Sequence, residues 1–281
     1  MRGHKQIKSA AMPMEIEAKF SIPDPALFRR LKILKRLAGY ALGTREVLRV
    51  QDTYLDTKDR SLMAAGMACR IRRQSDGKLL LTLKGTGTPT GAVHRRMELE
   101  LPLPSELADS KRLFAVGAWP EGPLRLRILQ IVGRKRLIRL ATIRQLRTIR
   151  PVTQDGHRLA AMSLDNVRVR AGGAQEQFSE VEIELTHHGG NEALERITAC
   201  LEQEWGLVPD ERSKLERAVA LAEANLKAAV SRKGLGIDPA NSMAEAARLI
   251  LNDQLDRMAA HERGSREGRD KEELHDMRVA V

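Results

Sequence analysis

Glu15-Ile16-Glu17-Ala18-Lys19 is the stretch that decides the fold. In an extended strand, side chains two positions apart share a face, about 6.6 Å between successive members. Glu15, Glu17 and Lys19 therefore point one way, and Met14, Ile16, Ala18 and Phe20 the other. One such strand would be an ordinary half-buried strand with a wet, charged face. The same alternation returns in later strands, with both signs of charge, and that recurrence calls for a common cause.

Working outward, Pro23-Asp24-Pro25 breaks the first strand, with Asp24 placed to cap a helix and Pro25 at its first position. The spacing of Leu27, Phe28, Leu31, Leu34 and Leu37 predicts that helix over 26–38. Strands are expected over 47–56, 67–74, 78–84 and 93–103. Arg70 and Arg72 share a face with Ala68, Lys84 with Leu80 and Thr82, and Arg96 with Glu98 and Glu100. Asp76-Gly77 is a hairpin signal. The stretch 124–150 is rich in Lys and Arg and free of acids; it reads as a helical piece, a turn near Gly133 and a strand running to Pro151. Residues 158–170 read as strand, turn and strand with Asp165 near the middle. Over 179–186, Glu180, Glu182 and Glu184 face one way and Val181, Ile183 and Leu185 the other. Asn191 is the expected cap of a helix ending near Gly206, and a further helix spans 213–230. Ser242-Met243-Ala244-Glu245 is a capping box for a helix to about Arg263. The implied organisation is a disordered leader over 1–13, a domain over 14–230, a linker over 231–241 and a helical appendage over 242–281.

Composition narrows the partners. Of 281 residues, 42% are hydrophobic but only 3% aromatic, and the formal net charge is +11. The excess of base points to an anionic partner. The shortage of aromatics argues against stacked bases and for phosphate, so nucleic acid is disfavoured. Cys69 and Cys200 form no CxxC pair and suggest neither a disulfide framework nor a zinc site. A reducing, cytoplasmic setting is expected. The first residues lack the apolar core of a secretory signal, no stretch approaches the roughly 20 apolar residues of a membrane span, and no membrane partner is expected. There is no GxxxxGK[ST] loop, which excludes a Walker-type phosphate site.

The charged faces make physical sense if an antiparallel sheet of about eight strands closes on itself. Such a barrel leaves an interior wide enough for a small ligand. Desolvated charges there need partners. Lys19, Arg70, Arg72, Lys84, Arg96 and Arg147 could grip several phosphates. Glu15, Glu17, Glu98, Glu100, Asp165, Glu180, Glu182 and Glu184 could hold hard divalent cations, Mg²⁺ or Mn²⁺, through oxygen. The fold class expected is α+β: a closed eight-stranded antiparallel β-barrel with flanking helices and a C-terminal helical appendage.

Taken in order, these residues resemble the CYTH domain, the triphosphate tunnel metalloenzyme family. Glu15-Ile16-Glu17-Ala18-Lys19 is similar to its ExExK signature. The likeness continues through Arg70-Ile71-Arg72, Lys84, Arg96-Met97-Glu98, Arg147, Leu164-Asp165, Glu182-Ile183-Glu184 and Ser213-Lys214, covering roughly 14–224. The resemblance implies a tunnel that binds triphosphate with divalent metal. Glu15 and Glu17 would bind metal, and Asp165, Glu182 and Glu184 would be further metal or water-positioning acids. Lys19, Arg70, Arg72, Lys84, Arg147 and Lys214 would contact phosphate. Glu15, Glu17, Lys19, Glu182 and Glu184 form the expected catalytic set, with Arg96 added to the phosphate ligands and Glu98 to the metal ligands. Arg144, Arg147 and Arg150 compete for one tunnel position, with Arg147 preferred, and Glu180 with Glu182 is an alternative to the Glu182–Glu184 pair. The activity implied is metal-dependent hydrolysis of inorganic triphosphate. Alternatives are a polyphosphate-binding module without turnover, an adenylate cyclase, or a nucleoside or thiamine triphosphatase. His275 to Val281 resembles the opening HxxRV motif of the CHAD domain, a helical module associated with polyphosphate. Such a fragment would dock on the barrel, pair with another copy as a homodimer, or stay mobile.

Overall fold

The computed structural model describes residues 13–87, 89–110, 112–232, 237, 240–268 and 271–279. The leader up to residue 12, most of the 231–241 linker, and Ala280 and Val281 of the terminal motif lie outside the described residues. The chain forms two compact units, Met1–Glu223 and Ala224–Val281.

The first unit starts with β1 (Met14–Ser21), whose charged face is half-buried to buried and whose Ala18 and Phe20 are fully buried. Asp24 caps α1 (Pro25–Ile33), accepting from the Ala26 N–H at 2.7 Å. The helix is shorter than the apolar spacing predicts. Ala38 and Gly39 take positive φ (49° and 85°) and fold a small hairpin, β2 (Arg36–Leu37) with β3 (Tyr40–Leu42), which places Leu37 on a strand instead. Next come β4 (Glu46–Thr57), a short helix α2 (Ser61–Ala64), β5 (Met67–Gln74), β6 (Leu79–Gly85) and β7 (Val93–Pro102). Asp56 ties α2 down: its carboxylate accepts from the N–H groups of Thr57, Leu62 and Met63.

Helix α3 (Pro123–Val132) stops at Gly133, which takes φ 58°, and leads into β8 (Leu137–Gln154). The 158–170 segment does not contain the expected turn. It is one long strand, β9 (His157–Ala171), because it is paired along its length to β8 on one side and to β10 (Ala174–Leu185) on the other. The polar Asp165-Asn166 pair is a change of side: Asp165 is fully buried and Asn166 is exposed. Helix α4 (Asn191–Gln203) is capped by Gly190. Asn191 is its first residue, and its side-chain oxygen accepts instead from Arg95 Nη2 at 3.0 Å. A two-residue strand, β11 (Val208–Pro209), pairs with β1 and leads into α5 (Lys214–Arg232).

Strands pair in the order β8-β4-β5-β6-β7-β1-β10-β9, and β9 pairs back onto β8. Eight antiparallel strands thus close a barrel. The apolar faces of β1, β9 and β10 bury Ala18, Phe20, Leu164, Val181 and Ile183 under α1 and α4. Those of β5 and β6 bury Ile71, Leu81 and Leu83 under α3 and Trp119. Each fully buried Leu, Ile or Phe is worth about 1.5–3 kcal/mol, so the alternation in sequence fixes which face looks inward. One end of the lumen is filled by apolar side chains, with Leu215 and Ala218 of α5 seated against Tyr54, Ile143, Val167 and Val169. That seating carries the first turn of α5 to the barrel interior.

In the second unit, the capping box forms as expected: the Glu245 N–H donates to Ser242 Oγ, and the Ser242 N–H donates back to Glu245 Oε2. Helix α6 (Met243–Glu267) runs past Arg263 and is followed by α7 (Lys271–Val279). His261 Nδ1 meets Glu273 Oε2 at 2.8 Å between them.

Candidate active site in the barrel lumen

The charged faces of the strands converge on one enclosed cavity of about 470 Å³. Glu15, Glu17 and Lys19 from β1 line it, with Arg70 and Arg72 from β5, Lys84 from β6, Arg96 and Glu98 from β7, Arg147 from β8, Glu182 and Glu184 from β10, and Lys214 from α5. Asp165 sits in the wall behind, fully buried. Of the three competing arginines, Arg147 faces the lumen. Arg144 is exposed on the outer wall, and Arg150 donates to the carbonyls of Leu34, Leu42 and Gly43. The three arginines stand three residues apart along β8, an odd step that turns each side chain over relative to the last, and they divide accordingly.

Three ion-pair groups organise the lumen. In the first, Lys84 Nζ holds both oxygens of Glu15 at 2.7 and 2.8 Å and Glu98 at 3.3 Å. Arg96 spans Glu15, at 3.2 Å, and Glu17. Register places Glu17 directly opposite Glu184, and like charges so placed repel. Burial, followed by the neighbouring Glu15, Glu17 and Glu98, pushes the Glu184 carboxyl up to about 7. In the second group, Lys214 Nζ lies 3.2 Å from Asp165 and 2.7 Å from Glu182, and also touches Glu180. Arg147 forks onto Asp165 at 2.8 and 2.5 Å and reaches Glu182 at 2.5 Å. Burial raises Glu180 to about 7, and neither of its oxygens has hydrogen-bond geometry to a partner. Burial likewise opposes ionisation of Glu182, but Lys214 and Arg147 outweigh it and hold that carboxyl well below its usual range.

The third group centres on Asp52, which sequence reasoning passed over. Arg72 Nε and Nη2 grip its two oxygens at 2.8 Å each, Gln145 Nε2 donates at 3.3 Å, and Arg70 stands 3.7 Å away. Desolvation disfavours the Asp52 charge, yet Arg72 and Arg70 overcome it and depress its pKa. The signal was present: Asp52 is in phase with Leu48, Val50 and Tyr54, which are all buried. Lys19, 2% exposed, points its ammonium to the Arg212 carbonyl, tying β1 to the loop before Lys214.

These residues fit hard divalent cations. Oxygens of Asp165, Glu180 and Glu182 all lie within 4.8 Å of one another, and Glu17 stands opposite Glu184 with Glu15 beside it. Carboxylates so crowded, with the two Glu180 side-chain oxygens lacking hydrogen bonds, are an all-oxygen donor set of the kind Mg²⁺ and Mn²⁺ take.

The same crowding makes stability depend on pH in a definite direction. An acid whose folded pKa exceeds its unfolded value favours folding while protonated. That contribution is full below about 4.5 and is lost as pH rises through about 7 for Glu180 and Glu184. Metal-free protein is therefore expected to lose stability between pH 5 and 8, by roughly 1–3 kcal/mol per group, seen as a falling Tm. Glu184→Gln should flatten that slope in a thermal melt series; an unchanged slope would refute the crowding.

Residues 13–219 match the CYTH domain family. Among solved structures, an adenylyl-cyclase candidate from Hippeastrum, described as having a dominant triphosphatase activity, superposes with a TM-score of 0.57. It is 19% identical, over 75% of this chain and 96% of that one. A Bacillus halodurans protein described as a candidate adenylate cyclase gives a TM-score of 0.48 at 22% identity, over 72% and 96% of the two chains. The Mimivirus capping-enzyme triphosphatase gives 0.37 at 15% identity, over 65% and 85%. With the ExExK strand, the closed barrel and a match across most of its length, this chain belongs to the CYTH domain family.

Proposed function

We propose that the barrel hydrolyses a triphosphate phosphoanhydride, with inorganic triphosphate as substrate and Mg²⁺ or Mn²⁺ as cofactor. The observation that carries the reading is a barrel-lined cavity in which guanidinium and ammonium groups alternate with carboxylates. A cavity for a neutral ligand needs no such charge, and one for an anion alone needs no acids. Bound divalent ions would neutralise phosphate oxygens and the charge developing on the leaving group.

The chain's own residues do the remaining work. Arg70, Arg72, Arg96, Arg147, Lys84 and Lys214 come from different strands and α5, so they can hold successive phosphates and fix the chain in line. Each is already ion-paired, so substrate oxygens replace carboxylates rather than water, and the carboxylates so freed would be the ones to hold the cations. Water attacks the terminal phosphorus, the bond to the bridging oxygen breaks, and pyrophosphate leaves with those electrons. Glu184, which burial and the neighbouring Glu15, Glu17 and Glu98 hold up at about 7 in the metal-free protein, is placed in the lumen to accept the proton of the attacking water. Glu15, Glu17, Asp165 and Glu182 supply the remaining oxygen donors, with Glu98 beside them.

The test is phosphate release from inorganic triphosphate, ATP and thiamine triphosphate under each metal, with cyclic AMP measured alongside. Fastest metal-dependent release from inorganic triphosphate is expected. Cyclic AMP as the main product from ATP would make the protein a cyclase. Tight polyphosphate binding with no turnover on any substrate would make it a binding module.

A further inference from the structure

Away from the lumen, the barrel's solvent face carries a second charge pattern. Register across β5, β4, β8, β9 and β10 sets Arg73, Gln51, Arg144, Arg168 and Gln177 in one rung. Neighbouring strands stand about 4.8 Å apart, so Arg144 and Arg168 are direct cross-strand neighbours. Like charges in that position destabilise a sheet, and surfaces ordinarily relieve this by interleaving acids. Here the partners are neutral. Arg144 Nε donates to Gln51 Oε1 at 3.0 Å, and Arg170, in the next rung, donates to Gln175 Oε1 at 3.0 Å. The Gln177 carbonyl, in the amide orientation that satisfies both groups, accepts from Arg168 Nε and Nη2 at 2.9 Å. Each amide fixes a guanidinium in place and leaves its charge uncancelled. Among the described residues of these two rungs, Arg73 alone meets a carboxylate, Asp109 at the rim, at 3.2 Å. A groove of about 470 Å³ passes over the rung, with Arg49 on its other side and no acidic residue among its lining.

We propose that this rung binds a linear polyphosphate chain on the outer wall, at a site separate from the lumen. Oriented guanidinium forks match phosphate oxygens, and an anion lying across them converts the Arg144–Arg168 repulsion into binding energy. The groove lining contains no aromatic side chain on which a base could stack, which favours a bare phosphate chain over RNA. The site stands on the outer-wall geometry alone and does not depend on turnover in the lumen.

The test is fluorescence anisotropy of end-labelled linear polyphosphate against the full chain, with single-stranded poly(U) as the comparison. The double variant Arg144→Gln/Arg168→Gln should weaken polyphosphate binding at least about tenfold, and should flatten the salt dependence of log Kd by roughly 0.7 per lost contact. Triphosphate turnover should be unchanged. Lys84→Ala, in the lumen, should leave the groove's share of the binding intact. In thermal melts, polyphosphate should raise the wild-type Tm more than that of the double variant. Polyphosphate affinity unchanged in the double variant overturns the site. Poly(U) binding tighter than polyphosphate, and lost in the same variant, overturns the choice of ligand.

Discussion

Glu17→Gln should reduce metal-dependent triphosphate turnover by roughly 10²–10³-fold while leaving the fold intact. Glu17 is 4% exposed, so the substitution is felt entirely within the lumen. Gln is isosteric and its carbonyl can still accept from Arg96, the partner Glu17 now has, so the strand keeps its contact. What disappears is one negative charge opposite Glu184. Without it, Tm in the absence of metal should hold or rise, because a like-charge pair is gone. Triphosphate binding in EDTA should also hold or tighten, since the anion meets one carboxylate fewer. Loss of turnover combined with retained metal-free binding is the signature of an acid that serves the cation. Equal loss of binding and Tm would make Glu17 a structural partner of Arg96 and nothing more. Stopped-assay phosphate release, anisotropy and a melt separate the two.

The second large effect falls on stability. Asp52→Ala removes a carboxylate that is 0% exposed, strips buried Arg72 of its carboxylate partner and leaves Arg70 with Glu98 at 3.7 Å. A guanidinium cannot escape by losing its proton. Breaking such a pair costs about 3–5 kcal/mol, or roughly 6–20 °C of Tm for a domain of this size. Inorganic triphosphate should recover part of that loss, because its oxygens can take the place of the missing carboxylate beside Arg72. A melt of Asp52→Ala within a degree or two of wild type would show that Arg72 finds another partner, and the third ion-pair group would then be of no consequence. Since Arg72 and Arg70 depress the Asp52 pKa, the stability it contributes is present above pH 4 and is lost on acidification. That loss at low pH opposes the trend of Glu180 and Glu184, so maximal stability of the metal-free protein should lie between the two windows.

What could be read from the sequence was whatever follows a period of two. Glu15, Glu17 and Lys19, Arg70 and Arg72, Arg96 and Glu98, and Glu182 and Glu184 each declare a face by alternation, and all of them line the cavity. Placing Arg147 rather than Arg144 or Arg150 in the lumen was legible only through resemblance, since three arginines at spacing three satisfy no single face of a strand. Asp52 was missed because its meaning lies across the sheet. Its pairing with Arg72 depends on the register of β4 against β5, which the α2 turn sets and no local pattern encodes. Strand β2 falls inside the helix expected over 26–38 because Leu34 and Leu37 continue the apolar spacing of α1. The positive φ of Ala38 and Gly39 overrides that spacing. A turn is expected within 158–170, where Asp165 and Asn166 near the middle are both residue types that favour turns. A strand paired on both edges holds them extended, and burial of Asp165 against Arg147 and Lys214 offsets the poor local propensity.

The claim beneath all of this is that the alternating acids and bases share one enclosed space in order to hold a cation–triphosphate complex. Crystals grown with Mn²⁺ and inorganic triphosphate, measured at the manganese edge, test it most directly. The expected anomalous map has its strongest peak inside the barrel, roughly 2.0–2.2 Å from carboxylate oxygens of the Glu15, Glu17 and Glu184 group or the Asp165, Glu180 and Glu182 group, with phosphate density against Arg72 and Lys84. Manganese found only on outer surfaces, with the lumen's ion pairs unbroken and free of phosphate, would contradict it.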